Sequence, residues 1–119
     1  MPERWIGSFV VELDGVKVGH LLVRRATQHR RPAAAGKLEL GYLFLEQAWG
    51  FGYATEACAA VLEWVGSVLP GEPVVLTIQS ANGGSMRVAA KLGFLEVERF
   101  QAWGAEQWLG MRPPITVAE

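Results

Sequence analysis

The sequence predicts a single α/β (α+β) domain, built on a twisted, mostly antiparallel mixed sheet with two helices. Three observations support this fold class. Strand and helix patterns follow one another in the order β-β-β-α-β-α-β-β. In the middle of the chain a strand, a helix and a strand come in succession, which predicts a parallel strand pair with a right-handed crossover. Short turns join the outer strands, as is typical of antiparallel pairs.

A hairpin opens the chain. Trp5–Leu13 is rich in aromatic and β-branched residues, Asp14-Gly15 is a two-residue turn signal, and Val16–Arg24 returns as the second strand. We interpret His20 as a strand residue rather than a base or metal ligand. The next segment, Arg24–Gly36, has no period and carries four arginines. It is predicted to be a mobile, solvated surface loop rather than a phosphate site.

The stretch Leu40–Ala57 is the predicted centre of the fold. The third strand, Lys37–Leu45, is apolar on both faces, so we expect both faces to be covered. Gly50 and Gly52 follow in a turn, and a helix then begins. Free N–H groups at a helix N-terminus hold anions, most often phosphate, although such turns also occur as plain connectors.

The main helix, Ala54–Leu69, has a predicted buried stripe with helical spacing: Ala57, Val61, Trp64, Val65 and Val68. A short apolar strand follows at Pro73–Gln79, then a short helix at Ser85–Leu92. Phe94–Phe100 and Gln107–Met111 form a predicted closing hairpin.

Length and composition limit the function classes. At 119 residues the chain is one domain, which we place at residues 1–114, with a loose tail at 115–119. A net charge of −1 argues against bulk nucleic-acid binding. The sequence has no long apolar run and no basic leader, so we expect no membrane span, no signal peptide and a cytoplasmic location. The single cysteine, Cys58, excludes an internal disulfide and is interpreted as a core residue rather than a nucleophile.

Two segments carry a resemblance to a known family. The first is Glu39-Leu-Gly-Tyr followed by Trp49-Gly-Phe-Gly-Tyr-Ala-Thr-Glu-Ala57, and the second is Asn82-Gly-Gly-Ser-Met-Arg-Val-Ala-Ala-Lys-Leu-Gly-Phe94. They resemble the Arg/Gln-x-x-Gly-x-Gly/Ala loop and the Asn-x-x-Ser/Ala segment, closing in Lys-x-Gly-Phe, of the GNAT superfamily of acyl-CoA-dependent N-acyltransferases. The first segment is most similar to the branch of ribosomal-protein N-terminal acetyltransferases, with Trp49 at the Arg/Gln position.

The resemblance implies acetyl-CoA as co-substrate and no metal. The central parallel strands would be splayed to hold CoA. One run of backbone N–H groups would hold its pyrophosphate: Phe51, Gly52, Tyr53, Ala54 and Thr55. A second run would pair with its pantetheine arm as an added strand: Leu43, Phe44 and Leu45. Asn82 and Ser85 would approach that arm from the other side. Arg87 and Lys91 could meet the CoA 3′-phosphate, but we interpret them as solvent-facing charges of the second helix.

The resemblance also implies direct attack of an unprotonated amine on the thioester. Glu39 is our candidate base, because it is the only carboxylate in the central strand and shares a face with Gly41. The alternative is a solvated Glu at a strand end, and Glu106 is a lesser candidate. The amide of Phe44 or Leu45 would stabilise the oxyanion.

Many family members protonate the leaving thiolate with a tyrosine of the second helix. At the matching place this chain has Ala89, so Ser85 is the nearest replacement. Tyr42 is interpreted as a core residue.

The chain also departs from the family pattern at its beginning. The family's first strand and two helices have no counterpart ahead of Trp5, so the domain is predicted to be N-terminally shortened. The strand edge at Trp5–Leu13 would then be bare and apolar, and we expect a homodimer that covers it.

Two functions follow: an acetyl-CoA-dependent N-acetyltransferase acting on a primary amine, and a CoA-binding module that is inactive or regulatory. A purely structural dimerisation domain is a third option. The acceptor, whether protein N-terminus, polyamine, antibiotic or amino acid, stays open.

Overall fold

A computed structural model describes residues 5–26 and 29–114. The predicted tail at 115–119 lies outside the described residues. The strands are β1 (Trp5–Leu13), β2 (Val16–Arg25), β3 (Leu38–Phe44), β4 (Val74–Gln79), β5 (Leu95–Ala102) and β6 (Ala105–Arg112), and the helices are α1 (Tyr53–Val68) and α2 (Gly83–Lys91).

The strands form one sheet in the order β1-β2-β3-β4-β6-β5. Only the β3–β4 pair is parallel, and the other four pairs are antiparallel. The predicted mixed, mostly antiparallel sheet with a central parallel pair is therefore confirmed. Strands β3 and β4 are in register only at Leu38–Val74 and Glu39–Val75. Their C-terminal halves separate, and we call this opening the splay.

Both hairpins turn through two residues with left-handed backbones. Asp14 and Gly15 have φ values of 52° and 80°, as the sequence suggested, and this twist suits a tight hairpin. In the second hairpin the corresponding residues are Trp103 and Gly104, at 55° and 78°. Strands β5 and β6 therefore extend closer to their turn than predicted. The turn itself was not predicted, because a tryptophan is rarely found at positive φ.

The main core lies between one face of the sheet and the two helices. The fully covered stripe of α1 is Cys58, Val61, Leu62 and Val65. The predicted stripe was right for Val61 and Val65 and wrong for Trp64 and Val68, which are exposed. Trp64 packs edge-on against Phe9 of β1, with ring centroids 5.3 Å apart, at the rim of this core.

Cys58 is a core residue, as predicted. Its side chain is completely buried. Burial raises the pKa of the Cys58 thiol to about 12, because the thiolate would lose its hydration. The thiol therefore stays protonated at neutral pH and is a poor nucleophile.

The second face of the sheet is covered only in part by the described residues. A smaller cluster there joins Ala34 to Val75, Phe100, Ala102 and Leu109 of strands β4, β5 and β6. Toward β3 the cover ends, and Leu43 is 74% exposed and Leu45 45% exposed. The expectation that both faces of the third strand are covered was therefore wrong, because apolar composition does not reveal what packs on it.

The segment that covers this face was predicted to be a solvated loop, and its described part is not one. Residues 29–36, which we call the strap, lie against the sheet with Ala34 fully buried. Arg31 pairs with Glu98 of β5 at 2.6 Å and lies over the Phe100 ring. The Arg31 guanidinium lowers the pKa of Glu98 through this hydrogen bond. Arg25, just before the strap, binds both carboxylate oxygens of Glu72. Arg25 and Arg31 thus pair with carboxylates that are distant in sequence, and no local pattern could reveal these partners.

Candidate functional site

A groove of about 730 Å³ lies where β3, α1 and α2 come together beside the splay. Most of the residues that the sequence nominated for CoA line it: Leu43, Phe44, Gly52, Tyr53, Ala54, Thr55, Asn82 and Ser85. Phe51 and Leu45 lie outside the lining. Phe51 is exposed and stacks on the Tyr53 ring, with centroids 5.5 Å apart.

The N-terminus of α1 opens into this groove without a side-chain cap. Gly52 is the N-cap residue, at φ 82°, and within residues 5–26 and 29–114 no side chain caps the first turn. The first helical bond runs from the Glu56 N–H to the Gly52 carbonyl at 3.0 Å. The N–H groups of Tyr53, Ala54 and Thr55 precede it, so they have no partner within the helix. Together with the helix dipole, they form a site for an anion.

The N-terminus of α2 differs, because its own side chain caps it. Asn82 Oδ1 accepts a hydrogen bond from the Ser85 N–H at 3.0 Å. The side-chain oxygen of Asn82 therefore already has a hydrogen-bond partner, and its side-chain NH₂ is the group left to bind a ligand. Ser85 lines the groove from the first turn of this helix.

The backbone of β3 decides which groups face the splay. The Leu45 N–H donates to the Val18 carbonyl of β2 at 2.9 Å, so it points away from the splay. The backbone N–H and C=O groups of successive strand residues point in alternate directions. Those of Leu43 therefore also point toward β2, whereas those of Tyr42 and Phe44 point toward β4. The Leu45 amide is therefore not available as an oxyanion donor, and of the three residues nominated to pair with pantetheine only Phe44 presents its backbone to the splay. Tyr42 was missed.

Trp49 covers part of this backbone. Its indole Nε1–H donates to the Phe44 carbonyl at 2.9 Å, and its ring lines the groove. The indole therefore reaches back from the turn to the strand.

Tyr42 spans the inner end of the groove. Its hydroxyl donates to the Ser85 carbonyl at 3.4 Å and so connects β3 with α2. Burial raises the pKa of the Tyr42 phenol, which keeps it protonated. The ring also packs against the main core, as predicted.

The charge of the groove is positive. Arg87 and Lys91 of α2 are part of the lining, and no lining residue is Asp or Glu. Both side chains are also exposed to solvent, the position that the sequence favoured for them. Ala89, on the same helix, is completely buried and has no group that exchanges a proton.

The predicted base candidates lie outside the groove lining. Glu39 sits at the closed end of the splay, where its carboxylate is 2.7 Å from Arg24 Nη2 and 3.5 Å from His29 Nε2. Glu106 is on β6, paired with Arg99 at 3.2 Å. His20 is a strand residue, as predicted, and lies 2.8 Å from the Ser8 hydroxyl on β1.

No group of three or more His, Cys, Asp or Glu side chains in residues 5–26 and 29–114 is arranged to hold a metal ion. Neither of the helices described is long and apolar enough to cross a lipid bilayer.

Fold and groove together are those of an acyltransferase domain. A family model described as the acetyltransferase (GNAT) domain matches residues 2–95. The chain therefore belongs to the GNAT acetyltransferase family, as the sequence motifs indicated.

Two solved structures share this fold, and one relative shares part of the sequence. A GnaT-family chain from Bordetella pertussis superposes with a TM-score of 0.81 at 24% identity, over 89% of this chain and 65% of that one. The ribosomal-protein-S5-alanine acetyltransferase of Vibrio fischeri gives 0.75 at 19% identity, over 90% and 61%. The Bacillus subtilis protein YkkB, itself uncharacterised, is 33% identical over 66 residues, which are 56% of this chain and 38% of YkkB. This chain thus spans less than two thirds of the length of each.

Proposed function

We propose that the chain transfers an acetyl group from acetyl-CoA to a primary amine. The observation that carries this proposal is the uncapped N-terminus of α1, which opens into a positively charged groove beside the splay. A long substrate with phosphates at one end and a thioester at the other matches this distribution of charge and backbone groups.

In this proposal different residues in and beside the groove bind different parts of acetyl-CoA. The N–H groups of Gly52, Tyr53, Ala54 and Thr55 hold the pyrophosphate, joined by that of Phe51, which precedes these lining residues. The pantetheine arm pairs with the splay-facing backbone of Tyr42 and Phe44, and Leu43 packs beside it. Asn82 and Ser85 contact the arm from α2.

The reaction is acyl transfer by direct attack. The amine nitrogen bonds to the thioester carbon, the C–S bond breaks, and CoA leaves as the thiolate. The Phe44 amide donates to the carbonyl oxygen as negative charge develops on it. Ser85 donates a hydrogen bond to the departing sulfur. Glu39 accepts the proton lost by the amine through a chain of water molecules, because five residues of β3, about 16 Å, separate it from Phe44.

A CoA-binding module without catalysis is the second candidate function. Ala89 favours it, because a buried methyl group replaces the family's usual acid. A CoA thiolate leaves readily, however, so loss of this acid lowers the rate without abolishing the reaction. We therefore prefer the enzyme.

A thermal shift measurement combined with a thiol-release assay tests both functions. We expect millimolar CoA to raise the melting temperature, because a ligand that binds only the folded state stabilises it. Acetyl-CoA is then mixed with a panel of amines: an alanine-initiated peptide, since one structural relative is an S5-alanine acetyltransferase, spermidine, an aminoglycoside and free amino acids. Stabilisation without thiol release on any amine would support the inactive module. No stabilisation would contradict both functions.

The two groove cations give a prediction about the 3′-phosphate. The double variant Arg87→Gln with Lys91→Gln should bind CoA about five- to tenfold more weakly and bind 3′-dephospho-CoA with unchanged affinity, as expected for losing charged hydrogen bonds to one phosphate. Isothermal titration calorimetry with the two ligands checks this. Lys17→Gln, an exposed cation on β2, is the control and should leave both affinities unchanged. Equal weakening toward both ligands would place these cations elsewhere on the donor.

We also propose a homodimer that covers the outer edge of β1. This strand is at one end of the sheet, and its Val10 side chain is exposed. Light scattering should give twice the monomer mass, and Val10→Lys should shift the protein toward monomer. Val68→Lys, at an exposed position of α1, should not. A well-folded wild-type monomer at high concentration would contradict the proposal.

A further inference from the structure

A polar cluster lies at the closed end of the splay, on the face of the sheet opposite the helices. It joins Arg24 of β2, Glu39 of β3, Thr77 of β4 and His29, which begins the strap. The His29 side chain is only 7% exposed and that of Glu39 12% exposed. Buried polar groups are costly unless they are paired, so this arrangement needs an explanation beyond packing.

The hydrogen bonds of His29 fix the position of its ring hydrogen. Nδ1 accepts a hydrogen bond from the Arg31 N–H at 2.9 Å, so Nδ1 carries no hydrogen. The hydrogen is therefore assigned to Nε2, on the side of the ring that faces Glu39. Nε2 lies 3.5 Å from Glu39 Oε2 and 3.5 Å from the Thr77 hydroxyl.

The part of the strap that follows His29 holds the imidazole in this position. Arg31, whose N–H binds the ring, is itself anchored to Glu98 at 2.6 Å and lies over Phe100. Three residues further along, Ala34 is completely buried in the second-face cluster. The backbone that supports His29 is therefore fixed to β5 and to the second face, independently of the groove.

The two oxygens of Glu39 then have different surroundings. Oε1 is occupied by Arg24 at 2.7 Å, whereas among the described residues Oε2 has only the longer approach of His29. A carboxylate oxygen has two lone pairs, so Oε2 has room for a second donor. Glu39, Gly41 and Leu43 share one face of β3, and Leu43 lines the groove. Gly41 adds no side chain between them, although Leu22 of β2 packs beside it, 3.6 Å from where a Cβ would stand.

We propose that His29 is a positioning residue for Glu39, aiming Oε2 at the acceptor amine. This inference rests on the proposed acetyl transfer, in which Glu39 takes the amine proton. His29 itself transfers no proton, because Nε2 keeps its hydrogen and donates it toward Oε2. Arg24 binds Oε1, so each oxygen of the Glu39 carboxylate has a neighbour that orients it.

A double-mutant cycle on kcat tests the proposal. With acetyl-CoA and whichever amine of the panel is acetylated, Glu39→Gln should lower kcat by about a hundredfold, the usual contribution of a general base. His29→Ala should lower kcat about tenfold and leave the KM for acetyl-CoA within twofold. His29→Gln should recover most of the loss, because its amide nitrogen replaces Nε2. In the Glu39→Gln background, His29→Ala should lower kcat no further.

The outcomes separate the inference from the function on which it rests. A wild-type chain that neither binds CoA nor releases thiol would overturn the proposed function, and the role of His29 with it. If the wild type is active, an unchanged kcat in His29→Ala overturns the inference alone. So does a tenfold loss that persists in the Glu39→Gln background, which indicates a structural role. Calorimetric CoA affinity shows that each variant is folded, and His29→Gln serves where His29→Ala does not fold.

Discussion

Replacing Gly52 with valine should raise the Kd for CoA at least tenfold. Gly52 adopts φ 82°, a conformation that L side chains rarely take, and a β-branched residue there is strained by about 1–3 kcal/mol. The strain is relieved by moving the first turn of α1, which carries the uncapped N–H groups of Tyr53, Ala54 and Thr55. These groups form the proposed pyrophosphate site, so their displacement should weaken binding directly. Isothermal titration calorimetry with CoA measures the effect.

Gly71→Val is a matched control for this experiment. Gly71 has φ 83°, and, as at Gly52, an added Cβ would meet no atom within 4 Å. It follows the other end of α1, outside the groove lining. Both variants should lose similar stability, and only Gly52→Val should lose CoA affinity. Equal CoA affinities in the two variants would contradict the proposal that the α1 N-terminus binds the donor.

The second large effect is expected in the core. Leu38→Ala should lower the free energy of unfolding by about 2–5 kcal/mol, because its side chain is fully buried where β3 and β4 are in register. Leu43→Ala, in the same strand, should change it by less than about 0.5 kcal/mol, since Leu43 is exposed. Urea denaturation measures both. A large loss in Leu43→Ala would mean that a further surface covers this face, for example a second copy of the chain.

The sheet could be predicted because its signals are local. Asp14-Gly15 defines the first hairpin, and the strand, helix and strand in the middle of the chain require a parallel pair. The coverage of β3 could not be predicted, because the sequence of Leu43 and Leu45 is the same whether or not another segment packs on them. The turn at Trp103-Gly104 was missed because a tryptophan at positive φ is stabilised by its hairpin context, not by its own preference.

The proposed donor side of the site is similarly local, and the proposed acceptor side is not. Gly52 and the start of α1 are adjacent in sequence, so a possible anion site could be proposed from the residues alone. The direction of the Leu45 amide depends on its partner Val18 in β2, which a strand pattern does not give. The contacts of Glu39 come from β2 and from the strap, and His29 lies in a segment without any period. Its only sequence signal was a histidine among arginines.

The narrow junction at the splay has a consequence for the motions of the domain. Strands β1-β2-β3 and β4-β6-β5 form two three-stranded units whose direct register covers only Leu38–Val74 and Glu39–Val75. Small cooperative units with few shared hydrogen bonds open at lower free energies than the whole molecule. Amide hydrogens of Tyr42 and Phe44, which face the splay, should therefore exchange with solvent faster than those of Leu21 and Val23 in β2. A molecule that binds along β3 would slow this exchange and make the two units open as one.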